Sequence, residues 1–152
     1  MYRLAPWWRR AVAAAIDFVI VGGIPVAVAI QVDSTWKAAL VGVGLFLVLA
    51  LLYAPLLMSR TNGQTLGKLA LGIRVIRADG RRMDFGWSAL REVGVKGLGT
   101  ALANSATFGL AQVADYLWPL WDEQSRALHD MVCQTRVVLA RTQPPAPPGA
   151  PR

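Results

Sequence analysis

Gly63, Gly67 and Lys68 stand close enough together to suggest a phosphate-binding loop. They lie in "NGQTLGKLALGIRVIRADG", Asn62 to Gly80. A P-loop needs G-x-x-x-x-G-K-[ST], so that backbone N–H groups ring the phosphates and a hydroxyl reaches Mg²⁺. Here the step from Gly63 to Gly67 is one residue short, and Leu69 stands where the Ser or Thr belongs. The apolar stretch before it is also too long for a buried strand. Nucleotide chemistry is therefore not expected. His129, in "DEQSRALHD", is the single histidine, so no catalytic triad, metal-binding His pair or H-E-x-x-H site can be assembled. Cys133 is the single cysteine; it has no disulfide partner or zinc spacing and reads as a small buried residue. The expectation is a protein that is not an enzyme and has no cofactor and no metal.

Arg10 and Asp17 are the residues most able to do something else. Seven residues apart, they share nearly one helix face, about 10 Å apart along the axis. Asp17 falls inside an apolar run, where an isolated carboxylate costs about 2.5–3.5 kcal/mol on insertion scales. It must be protonated, paired or open to water. Such residues mark proton or ion pathways, and the bland alternative is a structural ion pair that locks helices together. Asp130 is a second candidate partner for Arg10 or Arg9, against the plainer reading of a polar turn. Arg9, Arg91, Asp115 and His129 are secondary candidates.

The elements that would position these residues are oily. Hydrophobic residues make up 55% of the 152, and Lys plus Arg outnumber Asp plus Glu by 16 to 9. The basic residues gather at the ends of apolar runs instead of lining a face interleaved with aromatics, which argues for a membrane and against nucleic acid. The first run, Ala11 to Gln31, is long enough to span, since about 20 residues cover the hydrocarbon core. A signal peptide competes, with Arg9 and Arg10 as its basic region and Ala27-Val28-Ala29 as a cleavage site. Asp17 and the second run argue against that. The second run, Ala38 to Met58, carries no charge. Pro55 near its end is tolerated in a membrane helix.

Charge asymmetry gives an orientation. Arg3, Arg9 and Arg10 precede the first run; Arg60, Lys68, Arg74, Arg77, Arg81, Arg82, Arg91 and Lys96 follow the second; the loop between, Val32 to Lys37, has only Lys37 as a cation. The N-terminus and the middle segment are expected in the cytoplasm. Trp7 and Trp8 suit one interface and Trp36 the other.

A third region, Asp84 to Trp121, is interrupted. Asp84 reads as a helix cap. Trp87, Leu90, Gly94, Leu98 and Leu102 recur at helical spacing with Glu92 and Lys96 off that stripe, as in a helix that starts at the interface and dips inward. One span would place the C-terminus outside; a hairpin broken between Asn104 and Gly109 would return it. The hairpin is preferred. Arg126, Arg136 and Arg141 follow it. In addition, Ile73–Arg77 and Thr135–Leu139 read as short β-branched strands that need each other's backbone. The tail, "TQPPAPPGAPR", is expected to be disordered, which divides the chain into a membrane domain, 1–141, and a proline-rich tail, 142–152.

Together these stretches resemble the RDD family of small bacterial membrane proteins, named for one arginine and two aspartates. "WWRRAVAAAID" is similar to its first helix, with Arg10 and Asp17 as the arginine and first aspartate. "NGQTLGKLALGIRVIRADG" resembles its central signature. "SRALHDMVCQTRVV" resembles its closing motif, with Asp130 as the second aspartate and Asp115 as the alternative. The resemblance implies a multi-pass protein of the bacterial inner membrane with a transport-related role, cation/proton antiport among the family's links.

The expected fold is an all-α membrane protein. It has two transmembrane helices, a third region that is re-entrant or a broken hairpin, and a small cytoplasmic two-stranded β element. The expected function is transport of a cation or proton-coupled ligand. Asp17 would take the proton or cation, Arg10 would bias it by opposite charge, and Asp130 would be their cytoplasmic partner. With no internal repeat from which to build a carrier site, a homo-oligomer would have to form the pathway. The alternative is a non-catalytic accessory or assembly subunit of a larger membrane complex.

Overall fold

The computed structural model describes residues 2–141; the tail assigned to 142–152 lies outside them. Two long helices dominate, α1 (Trp7–Ala29) and α2 (Thr35–Arg60). Both are long and apolar enough to cross a membrane, and only 11% and 6% of their apolar windows are buried. That separates them from the core helices of a water-soluble domain, whose apolar stripe is covered.

α2 stops at a left-handed turn. Asn62 has φ 58°, and the Gly63 N–H returns to the Met58 carbonyl at 2.7 Å, the long bond of a Schellman end. Gly63 itself has φ 91°, and a Cβ there would sit 2.0 Å from the Val75 carbonyl oxygen. A short helix, α3 (Leu66–Ala70), follows, capped by the Thr65 side chain, which accepts from the Lys68 N–H. Gly67 lies against α1, where a Cβ would come within 2.1 Å of the Ala13 carbonyl oxygen. Gly63 and Gly67 thus serve close backbone approach, and Gly72 and Gly80 take positive φ in turns.

Strand β1 (Ile73–Arg77) pairs antiparallel with β2 (Thr135–Leu139), Val75 opposite Val137. Both strands have the bounds expected from sequence. The N-terminal segment adds to the other edge of β2: Leu4 bridges Val138, and the Ala5 and Leu139 N–H groups donate to Val137 and Arg3 carbonyls, each at 3.0 Å. The buried core lies where this sheet meets α1 and α2, around Ala13, Met58, Ile73, Val75, Met83 and Val137.

The third region is a hairpin. Asp84 caps α4 (Phe85–Ala89), accepting from the Trp87 N–H at 2.7 Å. The helix widens into a π segment, Leu90–Gly99, and resumes as α5 (Thr100–Thr107). Phe108 and Gly109, both with positive φ, break it before α6 (Leu110–Leu117). Asn104 bonds Gln112 through both its amide atoms. Eight residues of straight helix would hold that pair about 12 Å apart, so the chain reverses there. A 3₁₀ turn (Trp118–Leu120) and α7 (Leu128–Val132) lead to β2.

Burial runs opposite to that of a water-soluble protein. Phe18 is 75% exposed and Phe108 98%, with Leu98, Leu102 and Leu110 also exposed, whereas Arg91 and Asp130 are 2% and 0% exposed. The stripe of Leu90, Leu98 and Leu102 faces out and the charges beside it face in.

Candidate functional site

The buried charges form one network where α1, the π segment, α7 and β2 meet. α1 presents Arg10, which donates to Asp130 Oδ2 and to the Ser125 carbonyl. The π segment presents Arg91, whose Nη2 lies 2.5 Å from Asp130 Oδ1 and whose Nε donates to the Thr135 hydroxyl at 3.2 Å. Thr135 in turn donates to Asp130 Oδ1 at 3.1 Å, and the Ala127 N–H donates to Oδ2 at 3.2 Å. Asp130 thus joins two guanidinium groups, a hydroxyl and a helix N-terminus. Burial pushes its carboxyl up, but Arg91 and Arg10 outweigh this and hold it well below the usual carboxylate range.

Arg91 also pairs with Glu92, which takes Lys96 at 3.4 Å and Lys68 of α3 at 3.9 Å. Among the described residues, the other bond of Lys68 is to the Thr65 hydroxyl at 3.4 Å. Burial pulls its ammonium down to about 8. On the far side, His129 stands between Asp115 of α6 and Arg91. Its Nε2 lies 3.0 Å from Arg91 Nη2, which can only donate, so Nε2 accepts and Nδ1 carries the proton toward Asp115 at 2.7 Å.

Burial, and then the Arg91 charge, lower the affinity of His129 for a second proton, against the pull of Asp115 and Asp130. The sign follows from linkage: a depressed folded value contributes stability that is complete above the ordinary histidine range, about pH 6.5, and is lost as pH falls through the lower folded value. The unfolding temperature in detergent should therefore drop as pH falls below about 6.5, and His129→Gln should flatten that slope. An equally steep slope in the variant would place the effect elsewhere.

Asp17 stands apart from this network and does not pair with Arg10. Its carboxylate accepts from the Tyr53 hydroxyl of α2 at 2.7 Å, the Thr65 hydroxyl at 2.5 Å and the Gly67 N–H at 2.9 Å. Tyr53 Oη accepts from the Leu66 N–H at 3.3 Å, so its own proton points to Asp17. The carboxylate ties α1, α2 and the start of α3 together. Arg9 donates to the Leu71 carbonyl at 3.2 Å and packs on the Trp8 ring. Of the residues singled out from sequence, Arg10, Arg91, Asp115, His129 and Asp130 come together; Arg9 and Asp17 do not join them.

A cavity of about 420 Å³ adjoins both centres. Arg10, Lys68, Arg91, Glu92, Lys96 and His129 line its charged end, Asp17 and Tyr53 its side, and Phe18, Val21, Phe46 and Leu49 its apolar walls. Tyr53, Thr65, Gly67, Lys68, Glu92, Lys96 and Thr135 were not singled out as site residues by sequence reasoning. Lys68 and Gly67 sat inside the glycine-rich stretch, where the close packing of α3 on α1 was the signal. Cys133 is buried, as expected of a lone thiol, and burial raises it.

The RDD family profile matches residues 4–134, which takes in every residue of this network except Thr135. The chain belongs to the RDD family. It is 33% identical over 140 residues to the uncharacterized protein YckC of Bacillus subtilis (strain 168), covering 92% of this chain and 87% of that one. No solved structure matches. The arginine and first aspartate that the family resemblance assigned, Arg10 and Asp17, thus serve two separate centres in this RDD protein, and Asp130 and Asp115 both stand in the first.

Proposed function

We propose that this RDD protein spans the bacterial cytoplasmic membrane with both ends in the cytoplasm and moves a proton-coupled ligand through its charged cavity. The observation that carries the reading is the inverted burial: ionic groups line one end of a half-open cavity while apolar side chains face outward. Ionisable groups turned inward from apolar helices mark pathways in membranes. The pairing of β1 with β2 supports a common side for the segments that bear them, and the basic flanks support the cytoplasmic side.

The proton site in this reading is His129, not Asp17. Asp17 is occupied by three donors that hold three helices together. His129 lines the cavity and has one nitrogen that accepts from Arg91. A proton on that nitrogen would repel Arg91 and compete with it for Asp130 Oδ1, 3.5 Å away, which couples protonation to the site's charge. Among the described residues no three carboxylate, histidine or cysteine groups gather into a cation cage, so a ligand held by cations fits better than a bare metal ion.

The test is a proteoliposome assay with a pH dye inside, adding sodium, potassium or inorganic phosphate under a pH gradient. A dye response above empty liposomes that is lost in His129→Gln is expected. No response from protein shown to be folded would overturn the carrier reading. It would favour an accessory subunit of a larger complex, for which the structural use of Asp17 already speaks; co-purification in mild detergent would then identify the partner.

A further inference from the structure

The charged end of the cavity is not balanced by its own carboxylates. Glu92 and Asp130 serve four cations, Arg10, Lys68, Arg91 and Lys96. Asp17 is committed to neutral donors, and Asp115 to His129, whose second nitrogen accepts from Arg91 and so leaves the ring neutral. The deficit falls on the two lysines. Lys68 has three donors but, among the described residues, only the Thr65 hydroxyl at 3.4 Å and Glu92 at 3.9 Å. Lys96 has Glu92 at 3.4 Å and the Tyr116 ring at 5.9 Å. Both line the cavity. Lys68 is the half-buried one whose nearest carboxylate is distant, which is costly, and an anion beside it would relieve that cost. Lys96 shares Glu92 with Arg91 and Lys68 and keeps donors free toward the cavity. The lowered value of Lys68, about 8, reflects the same unrelieved burial.

The opposite end has another chemistry. Phe18, Val21, Phe46, Leu49 and Ala50 of α1 and α2 form it. Phe18 is also largely exposed on the outer surface, so the apolar end approaches the face that meets lipid. Charge at one end, oil at the other and a volume within the roughly 300–1,000 Å³ of ligand pockets specify an amphipathic occupant.

We infer that the cavity binds a single-chain amphiphile, its carboxylate or phosphate headgroup on Lys68 and Lys96 and its acyl chain between Phe18 and Phe46. This rests on the membrane-spanning reading above and names the ligand class of that cavity. Arg10 and Arg91, held by Asp130, fix the shape of the charged end, and the lysines supply the free donors. Binding requires both ends. A free anion lacks the chain, and a neutral long-chain alcohol lacks the charge.

The experiment uses the full chain in nanodiscs of zwitterionic lipid, with empty discs as background and no gradient. Radiolabelled dodecanoate, dodecyl phosphate, dodecanol and inorganic phosphate are titrated separately. Saturable binding of both anionic amphiphiles, at least about tenfold tighter than dodecanol, is expected from loss of charge-assisted hydrogen bonds. Lys68→Gln and Lys96→Gln should each weaken dodecyl phosphate by about tenfold and leave dodecanol unchanged. Lys96, the more exposed of the two, provides the answer if Lys68→Gln fails to fold. Equal binding of dodecanol and dodecanoate would overturn the headgroup site. Inorganic phosphate binding as tightly as dodecyl phosphate would make the site one for a free anion and overturn the amphiphile. No saturable binding of any probe overturns both. Amphiphile binding with no dye response in the liposome assay would sink transport alone; a dye response without amphiphile binding would sink this inference alone.

Discussion

Asp130→Asn should lower the unfolding free energy by about 3–5 kcal/mol, the usual cost of removing one partner from a buried ion pair. Both carboxylate oxygens are occupied, one by Arg10 and the other by Arg91. An amide keeps a single acceptor and turns an N–H₂ toward a guanidinium that can only donate. Arg10 would lose its carboxylate, and Arg91 would be left to share Glu92 with two lysines. Asp122→Asn is the control. That carboxylate also pairs with an arginine, Arg126 at 3.0 Å, but within one local, partly exposed turn and with no second cation among the described residues. Losing a local, partly exposed pair of this kind should cost about 1 kcal/mol, well below the loss at Asp130. Urea or thermal unfolding in detergent reads both. If the two variants cost the same, water reaches Arg10 and Arg91, and the network is not a closed interior. A further comparison separates the charge from the shape. Replacing Arg10, Arg91 and Asp130 together by apolar residues of similar size should recover much of the loss, because most of the penalty in Asp130→Asn is the stranded positive charge.

The strand pair was legible because its β-branched segments left backbone groups that only each other could satisfy. The hairpin followed from the same requirement, since an odd number of crossings would have parted the strands. The Arg10–Asp17 pair was misread for a geometrical reason. Seven residues put two side chains on one face, but Cβ atoms tilt toward the helix N-terminus. Both lean the same way, so the roughly 10 Å between them along the axis stays open, and Arg10 reaches past the start of α1 to Asp130. Glu92 and Lys96 were placed off the apolar stripe correctly, but a stripe alone does not say which way it faces. In water the stripe would be the inner face; beside an ionic network it is the outer one. The partners of Asp17 were beyond sequence reasoning because they come from α2 and α3, with no periodicity linking them. Gly67 was the nearest clue, since a glycine at a close approach lets an N–H reach what a Cβ would block.

Asp17→Ala should release α3 and cost about 2–4 kcal/mol, given about 1.5–3 kcal/mol for a hydrogen bond to a charged group and incomplete additivity among three. The Gly67 N–H, the Thr65 hydroxyl and the Tyr53 hydroxyl all lose their acceptor together. Tyr53→Phe removes one donor and should cost about 1 kcal/mol. The distinguishing readout is local. Hydrogen exchange at Gly67 should accelerate strongly in Asp17→Ala and little in Tyr53→Phe, while the β1–β2 amides stay protected in both. Asp17→Asn divides structure from transport. Its remaining carbonyl can keep one or two of the three donors, so exchange at Gly67 and overall stability should be intermediate. If that variant instead folds like the parent but abolishes the liposome response, the carboxylate itself carries the proton, and His129 would lose the role assigned to it. If flux and stability fall in step across Asp17→Asn, Asp17→Ala and Tyr53→Phe, the carboxylate is an anchor, and the arginine–aspartate signature of this chain divides its labour. Asp17 then assembles the helices and Asp130 holds the charges.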